Sequence, residues 1–364
     1  MMMLFLMLFF TAQCSSFVGQ LAYEYASHAA AVRHHIFSRN PGGESLQVVP
    51  PSSNRTDEYL IRGEQQVYSR AGTLVHVQLR IFKVIDVDPA RGELSLKVWF
   101  RLQWQDDRLA WDPSDFGNVS QVHMRAADSG PGANTEIWVP DIVVFNSGPG
   151  ASFEPAVSVV ESDGTVFWSR PGVLAVLCAF SGLNNFPYDT LRCPIDFGGW
   201  LVAPAQQGIA LMDGGVEIAS REGDPTERST ITTYSEWQLL DATASIAFYS
   251  YPSSPNVPWP VVSALVTLRR DANLFYMSVL LLPPIFLAVL AVSTFFMTPG
   301  GGRLGFGITV LLSSQFGKAV VMALMPICSE FLWIDLYIMF HESFTFATLV
   351  MLIVSHFFYV RSLS

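Results

Sequence analysis

The sequence predicts an extracellular β-sandwich followed by a transmembrane α-helical bundle with three spans. Three observations carry this expectation. Apolar and polar residues alternate over 75–81 and 94–101, the period of half-buried strands. The composition then changes just after Arg270, with no aspartate or glutamate between Asp271 and Glu330. Beyond that point the chain is filled by apolar stretches long enough to cross a bilayer.

Bulk composition narrows the function classes. Half of the 364 residues are hydrophobic and only 14% are charged, too apolar for an ordinary soluble protein. The balance of 21 basic and 31 acidic residues gives −10, so no nucleic-acid partner is expected. There is no HExxH, nucleophile elbow or phosphate loop, so neither an enzyme nor a cofactor is expected. Gly300 to Gly305 satisfies G-x-G-x-x-G, but no strand precedes it and no acid follows until Glu330. It reads as a tight turn between spans.

The elements follow in order. Met1 to Phe10 is a continuous apolar run with small residues after it, predicting a signal peptide over 1–16. An extracellular domain then covers 17–270. Asn54-Arg55-Thr56 and Asn118-Val119-Ser120 are glycosylation acceptors that fit a lumenal domain. Residues 21–37 predict a short helix, on which His34 and His35 lack partners for a metal. Val75, Val77, Leu79 and Ile81 alternate with His76, Gln78 and Arg80. Leu94, Leu96, Val98 and Phe100 alternate with Ser95, Lys97, Trp99 and Arg101. Turn signals at Asp88-Pro89, Gly148-Pro149-Gly150 and Asp163-Gly164 complete a sandwich pattern. Trp99 shares its face with Lys97 and Arg101, away from the core. It either packs on a neighbouring strand or binds something.

The transmembrane domain is placed at 271–361, with spans at about 274–297, 304–326 and 331–360 and a cytosolic end at 362–364. Pro283-Pro284 interrupts the first span, which a bundle tolerates. With the amino terminus outside, Arg303 and Arg361 fall in the cytosol. Arg269 and Arg270 fall outside, so the leader has to set the orientation. Lys318 is the charge within the second span, and its burial demands a partner. Glu342 and Asp335 of the third span are the candidates. The four cysteines are Cys14 in the leader, then Cys178, Cys193 and Cys328, which allow one bridge and one free thiol.

Several segments resemble one family. Trp99 to Trp111 (WFRLQWQDDRLAW) is similar to the Trp-rich strand on the complementary side of the agonist site in Cys-loop receptors, the pentameric ligand-gated ion channels. Trp138-Val139-Pro140-Asp141 through Phe145 and Asn146 resembles the first principal-side loop of nicotinic acetylcholine receptors, with Phe145 in place of the usual Tyr. Asp163 to Trp168 resembles a further complementary-side strand, carrying Phe167. Phe197-Gly198-Gly199-Trp200 resembles the second principal loop, with Trp200 as its central aromatic. Tyr251 to Trp259 matches the third loop in spacing. There Ser253 and Ser254 replace the vicinal cysteines, and Trp259 replaces the last tyrosine. Cys178 and Cys193 bracket Phe186-Pro187-Tyr188-Asp189, as in the signature loop, which is one residue longer here.

The resemblance covers about Val75 to Val360, and its implications are concrete. Cys178 and Cys193 would be bridged. Phe145, Trp200, Tyr251 and Trp259 of one subunit, with Trp99 of its neighbour, would surround a cationic agonist, each good contact contributing about 0.5–2 kcal/mol, and Phe167 is a further ligand-binding candidate on the complementary side. Arg101 would instead pair with a ligand carboxylate. The agonist is thus expected to be a small amine or amino-acid-like molecule, bound between subunits of a homo- or hetero-pentamer of related chains in the plasma membrane.

Arg303 to Ser313 looks like the pore helix. Gly305, Thr309, Leu312, Phe316 and Ala323 share one face by helical period, and rings of Leu312 and Phe316 would form a dewetting gate. Gly302 stands where cation-selective relatives carry glutamate, so ion selectivity stays open. Coupling to the membrane would use Asp88, Phe186, Pro187, Asp189 and Arg270, with Arg270 bridging to Asp88 or Asp189. The favoured function is a neurotransmitter-gated channel subunit. Because the family's fourth span is absent, the alternative is a non-conducting or truncated ligand-binding or regulatory subunit.

Overall fold

The computed structural model describes residues 2–40, 43–51, 72–126, 135–219, 233–234, 236–252, 254–271, 273–325 and 331–363. Helix α1 (Met2–Arg39) runs through the expected leader and the expected short helix as one piece. Its last turns are amphipathic and bury Val32 and Ile36 completely. Arg33 fastens this end, donating to the His123 carbonyl at 2.5 Å and to Glu136 at 2.6 Å. A short helix α2 (Gly43–Val48) follows and buries Leu46.

Among the described residues, twelve strands form two sheets. The first contains β1 (Thr73–Asp88), β2 (Glu93–Gln105), β3 (Gln121–Ala126), β5 (Ser152–Phe153), β6 (Ala156–Glu161), β7 (Thr165–Leu177) and β9 (Gln207–Ile218). Its order is β3-β6-β7-β2-β1-β9, with β5 on β7. The β1–β9 pair is parallel. The second sheet contains β4 (Val143–Val144), β8 (Thr190–Gly198), β10 (Thr233–Tyr234), β11 (Trp237–Tyr251) and β12 (Ser254–Arg270), in the order β10-β11-β12-β8-β4.

The alternation read from the sequence sets the two faces. Strand β2 alternates strictly between buried and half-buried positions along its whole length. Its apolar face meets the second sheet through Phe100, which packs edge-on against Phe197 at 5.5 Å. Trp104 lies five residues after Trp99, so it points the other way, into the core against Trp138 at 6.0 Å. In β1 the alternation fails at Gln78, which is buried because it accepts from Arg101 at 2.9 Å. A disulfide joins Cys178 to Cys193, with Cα atoms 5.3 Å apart.

Among the described residues, three helices long and apolar enough to cross a membrane follow, at Leu274–Phe296, Gly301–Leu324 and Trp333–Ser362. Gly301 and Gly302 are already helical, so the connecting turn is confined to 297–300. The first span contains a π-helical segment, Met277–Leu281, just before Pro283-Pro284. Tyr337 of the third span donates to the Leu281 carbonyl at 2.5 Å, tying this irregular backbone to the bundle. Lys318 turns to the third span and meets Glu342 at 2.9 Å, with Gln315 donating to the same carboxylate at 3.2 Å. Of the two acids expected, Glu342 is therefore the partner. Asp335 caps its own helix start, accepting from the Leu332 N–H.

Neutralising one member of the Lys318–Glu342 pair leaves the other as an unpaired charge within a membrane-spanning helix, at a cost of about 3 kcal/mol. Lys318→Met or Glu342→Gln should therefore lower the detergent melting temperature, and the Lys318→Glu/Glu342→Lys exchange should recover most of the loss. Thermal unfolding in detergent measures both.

Glu136 supports a pH prediction. Burial pushes its carboxyl up, but the Arg125 N–H and the Arg33 guanidinium outweigh burial and hold it below the ordinary 4.5. A depressed carboxyl contributes its stability above the unfolded value and loses it as pH falls through the folded one. Hydrogen exchange in residues 28–39 should stay slow at neutral pH and rise only well into acid. Glu136→Gln should raise it already at pH 7.

Candidate ligand cleft and coupling junction

The second sheet carries an open cleft of about 740 Å³ lined by Val143, Val144, Phe145, Gly199, Trp200, Tyr251 and Trp259. Strand β4 holds Phe145 there by pairing with β8 at Val144↔Phe197, and the Phe145 N–H donates to the Asp196 carbonyl at 2.8 Å. Asn146 fixes the next turn through the Pro194 carbonyl at 2.8 Å and the Asp196 N–H at 3.0 Å. The Phe145 ring passes directly over Gly198, where an added Cβ would lie 3.1 Å from the ring and 2.9 Å from the Pro260 carbonyl. Phe145 and Trp200 lie 6.3 Å apart, as do Tyr251 and Trp259 across the β11–β12 hairpin end. Trp200 is 64% exposed. The four principal-side aromatics expected from the sequence thus converge on one concavity.

Trp200 owes its position to Asp141, a buried residue that the sequence reading placed in a motif but not in the site. One Asp141 oxygen accepts from the N–H groups of Trp200, Leu201 and Val202 at 2.9, 2.5 and 2.9 Å. The available signal was an acid following Trp138-Val139-Pro140 in an apolar stretch.

Trp99, Arg101 and Phe167 lie elsewhere, on the outward face of the first sheet. Within one chain they do not line the cleft. Trp99 packs at a tilt against Phe82, with ring centres 4.3 Å apart, and the guanidiniums of Arg80 and Arg101 lie 5.7 and 5.2 Å from its ring. Glu217 of β9 stands 3.5 Å from Arg80 and 3.9 Å from Arg101. Within its own chain the Arg101 guanidinium is engaged by Gln78 and Glu217.

Comparison with known proteins matches residues 56–272 to the neurotransmitter-gated ion-channel ligand binding domain, more than half of the chain. This chain belongs to that family. Its members are receptors, not enzymes. Similar proteins include the acetylcholine receptor subunit beta-type lev-1 of Caenorhabditis elegans, 28% identical over 70% of this chain and 45% of the relative. The neuronal acetylcholine receptor subunit alpha-10 of Rattus norvegicus is 29% identical over 69% and 52%. The 5-hydroxytryptamine receptor 3A of Rattus norvegicus is 29% identical over 79% and 58%. The chain spans about half the length of these relatives.

In this ligand-gated channel family member, the base of the binding domain is closed by a buried charge network. Arg270 ends β12 and is only 5% exposed. It forks onto fully buried Asp189, with contacts of 2.7 and 3.1 Å. The same guanidinium bonds to Glu236 and to the Tyr276 hydroxyl, and that hydroxyl bonds to Glu236. Its planar face lies 4.1 Å from the Trp237 ring and 4.8 Å from Phe186. Burial opposes the charge, but Asp189 outweighs burial and holds the Arg270 pKa above its ordinary value. Glu236 escaped notice because only the β11–β12 pairing, Trp237↔Arg270, brings it here, and Tyr276 because it lies across the boundary, at the start of the first span.

Of the two acids expected for Arg270, Asp88 is the one it does not use. Asp88 accepts from the Ala90 and Arg91 N–H groups at 3.0 and 2.9 Å and from the Arg91 side chain at 2.8 Å. It therefore closes its own turn. Pro187 is buried beside Phe186. The loop tip reaches the spans despite its extra residue. Phe186 meets Tyr276 of the first span at 5.3 Å, Tyr188 stacks on Trp333 at 6.4 Å, and Trp333 donates to the Asn185 carbonyl at 3.1 Å.

Gly305, Thr309, Leu312, Phe316 and Ala323 are all exposed on the second span, whereas Gly307, Val310 and Val321 pack inward. Asn118 is exposed at a tight turn with φ of 60°. Asn54, Ser253 and Cys328 lie outside the described residues.

Removing Arg270 strands fully buried Asp189, at about 3–5 kcal/mol, and removing Asp189 leaves Arg270 with the partly exposed Glu236 as its one carboxylate in this network. Asp189→Asn and Arg270→Gln should each reduce surface delivery strongly, whereas Asp88→Asn should leave it near normal. Surface biotinylation of the variants checks this. An effect of Asp88→Asn as large as that of Asp189→Asn would contradict the assignment.

Proposed function

We propose that this chain is a subunit of a neurotransmitter-gated ion channel of the plasma membrane, with its amino terminus outside. A small amine or amino-acid-like agonist binds between neighbouring subunits of a homo- or hetero-pentamer and opens a pore lined by the second span. The observation that carries this reading is the separation of the two aromatic half-sites. The cleft of Phe145, Trp200, Tyr251 and Trp259 lies on one sheet, and Trp99, Arg101 and Phe167 lie on the other. Such an arrangement is completed when the cleft of one subunit faces the Trp99 surface of the next.

The cleft suits a cation. It offers four aromatic rings, each contributing about 0.5–2 kcal/mol to a well-placed ammonium. The Trp99 side brings Arg80 and Arg101 against Glu217, a net positive surface that suits an acceptor group at the other end of the ligand. Opening would be transmitted through the Arg270–Asp189 junction, which joins the binding sheets to the first and third spans. Exposed Leu312 and Phe316 then supply the apolar constriction.

Expression of the chain, alone and with related subunits, followed by patch-clamp recording tests the proposal. Agonist-evoked current is expected. Trp200→Ala should raise the half-maximal concentration at least roughly tenfold while Trp200→Phe keeps most of the affinity. Replacing external chloride and following the reversal potential assigns the ion sign. Agonist binding at the surface without current in any combination would favour the non-conducting subunit instead.

A further inference from the structure

We infer that Gln207 is a positioning residue for the cleft, holding Trp200 in place by clamping the peptide groups of Asp141. This rests on the cleft being the ligand site proposed above. Gln207 opens β9, where parallel pairing sets it opposite Thr73 of β1. Its side chain is buried. Its Nε2 donates to the Asp141 carbonyl at 2.8 Å and its Oε1 accepts from the Asp141 N–H at 2.8 Å.

A primary amide presents a donor and an acceptor side by side. Here it acts as a strand edge for residue 141, which belongs to no strand. Both backbone groups of a buried residue are thereby satisfied by one side chain from 66 positions away. The consequence passes outward. With its backbone fixed on both sides, Asp141 holds one oxygen against the three successive N–H groups of residues 200–202. The relay runs from β9 through Gln207 and Asp141 to Trp200.

The same strand carries Glu217, which holds Arg80 and Arg101 beside Trp99. Strand β9 therefore touches both half-sites of one subunit, the cleft at its start and the Trp99 surface at its end.

The test uses the full chain in membranes with two variants. Gln207→Met keeps the shape and removes both hydrogen bonds, and Gln207→Glu, as the neutral acid that burial favours, keeps an acceptor and an O–H donor. Amide exchange at residues 200–202 should quicken about tenfold in Gln207→Met and less in Gln207→Glu, with β2 and β11 unchanged. Tetramethylammonium, used as the cleft probe, should bind about tenfold more weakly to Gln207→Met, with partial recovery in Gln207→Glu and equal surface levels. Unchanged exchange at 200–202, a rise spread over both sheets, or raised exchange with unaltered probe affinity would each overturn the inference. If the unmodified chain does not bind tetramethylammonium, the cation-binding reading of the cleft fails, and the exchange result alone decides whether Gln207 is the clamp.

Discussion

The buried contact between Arg270 and Asp189 is the constraint on which the rest of the molecule hangs. Taking both ions out of water costs several kcal/mol each. That cost is offset only because a planar fork meets a carboxylate bidentately, while Glu236, the Tyr276 hydroxyl and three aromatic rings complete the shell. Each partner comes from a different part of the chain. Asp189 lies in the disulfide-closed loop, Glu236 immediately before β11, Arg270 at the end of β12 and Tyr276 inside the first span. A pair so buried is weak evidence for stability as such. Through the Tyr276 hydroxyl it also ties the sandwich to the start of the first span.

Above this junction, two sheets share one core and expose unlike outer surfaces. The strict alternation of β2 sends Phe100 and Trp104 inward while Trp99 and Arg101 face outward. The second sheet offers its aromatic cleft on its own outer side. On the proposed reading these are two incomplete half-sites of one subunit, which lateral assembly would join. Asp141 refines the cleft half by holding the backbone of the Trp200 loop, which lacks a regular strand at that point.

Below the junction, the spans face a different solvent and follow different rules. The backbone of the first span is irregular before its two prolines, and a neighbouring hydroxyl, that of Tyr337, serves the Leu281 carbonyl there. Lys318 is neutralised by Glu342 rather than being left toward lipid or pore. That choice also orients the second span, because Lys318 turns toward the third span while Leu312 and Phe316 remain exposed.

Much of this was legible in the sequence, and the division has a physical cause. Period-two alternation declared the faces of β1 and β2, and the acid-free stretch declared the membrane-crossing region, because both patterns are local consequences of solvent. Spacing and motif resemblance named Phe145, Trp200, Tyr251 and Trp259, and narrowed the partners of Lys318 and Arg270 to two acids each. Choosing between those acids required the tertiary structure: Asp88 was consumed by its own turn and Asp335 by its own helix start. Gln207, Asp141, Glu236 and Tyr276 were hidden for a related reason. Their roles depend on contacts between segments far apart in sequence, such as the 66 residues separating Asp141 from Gln207. By itself the sequence determined which strand faces meet water and core and which stretches are apolar enough to cross a membrane. Only the fold decided which buried polar groups satisfy one another, because that depends on strand register and loop approach that no local pattern records.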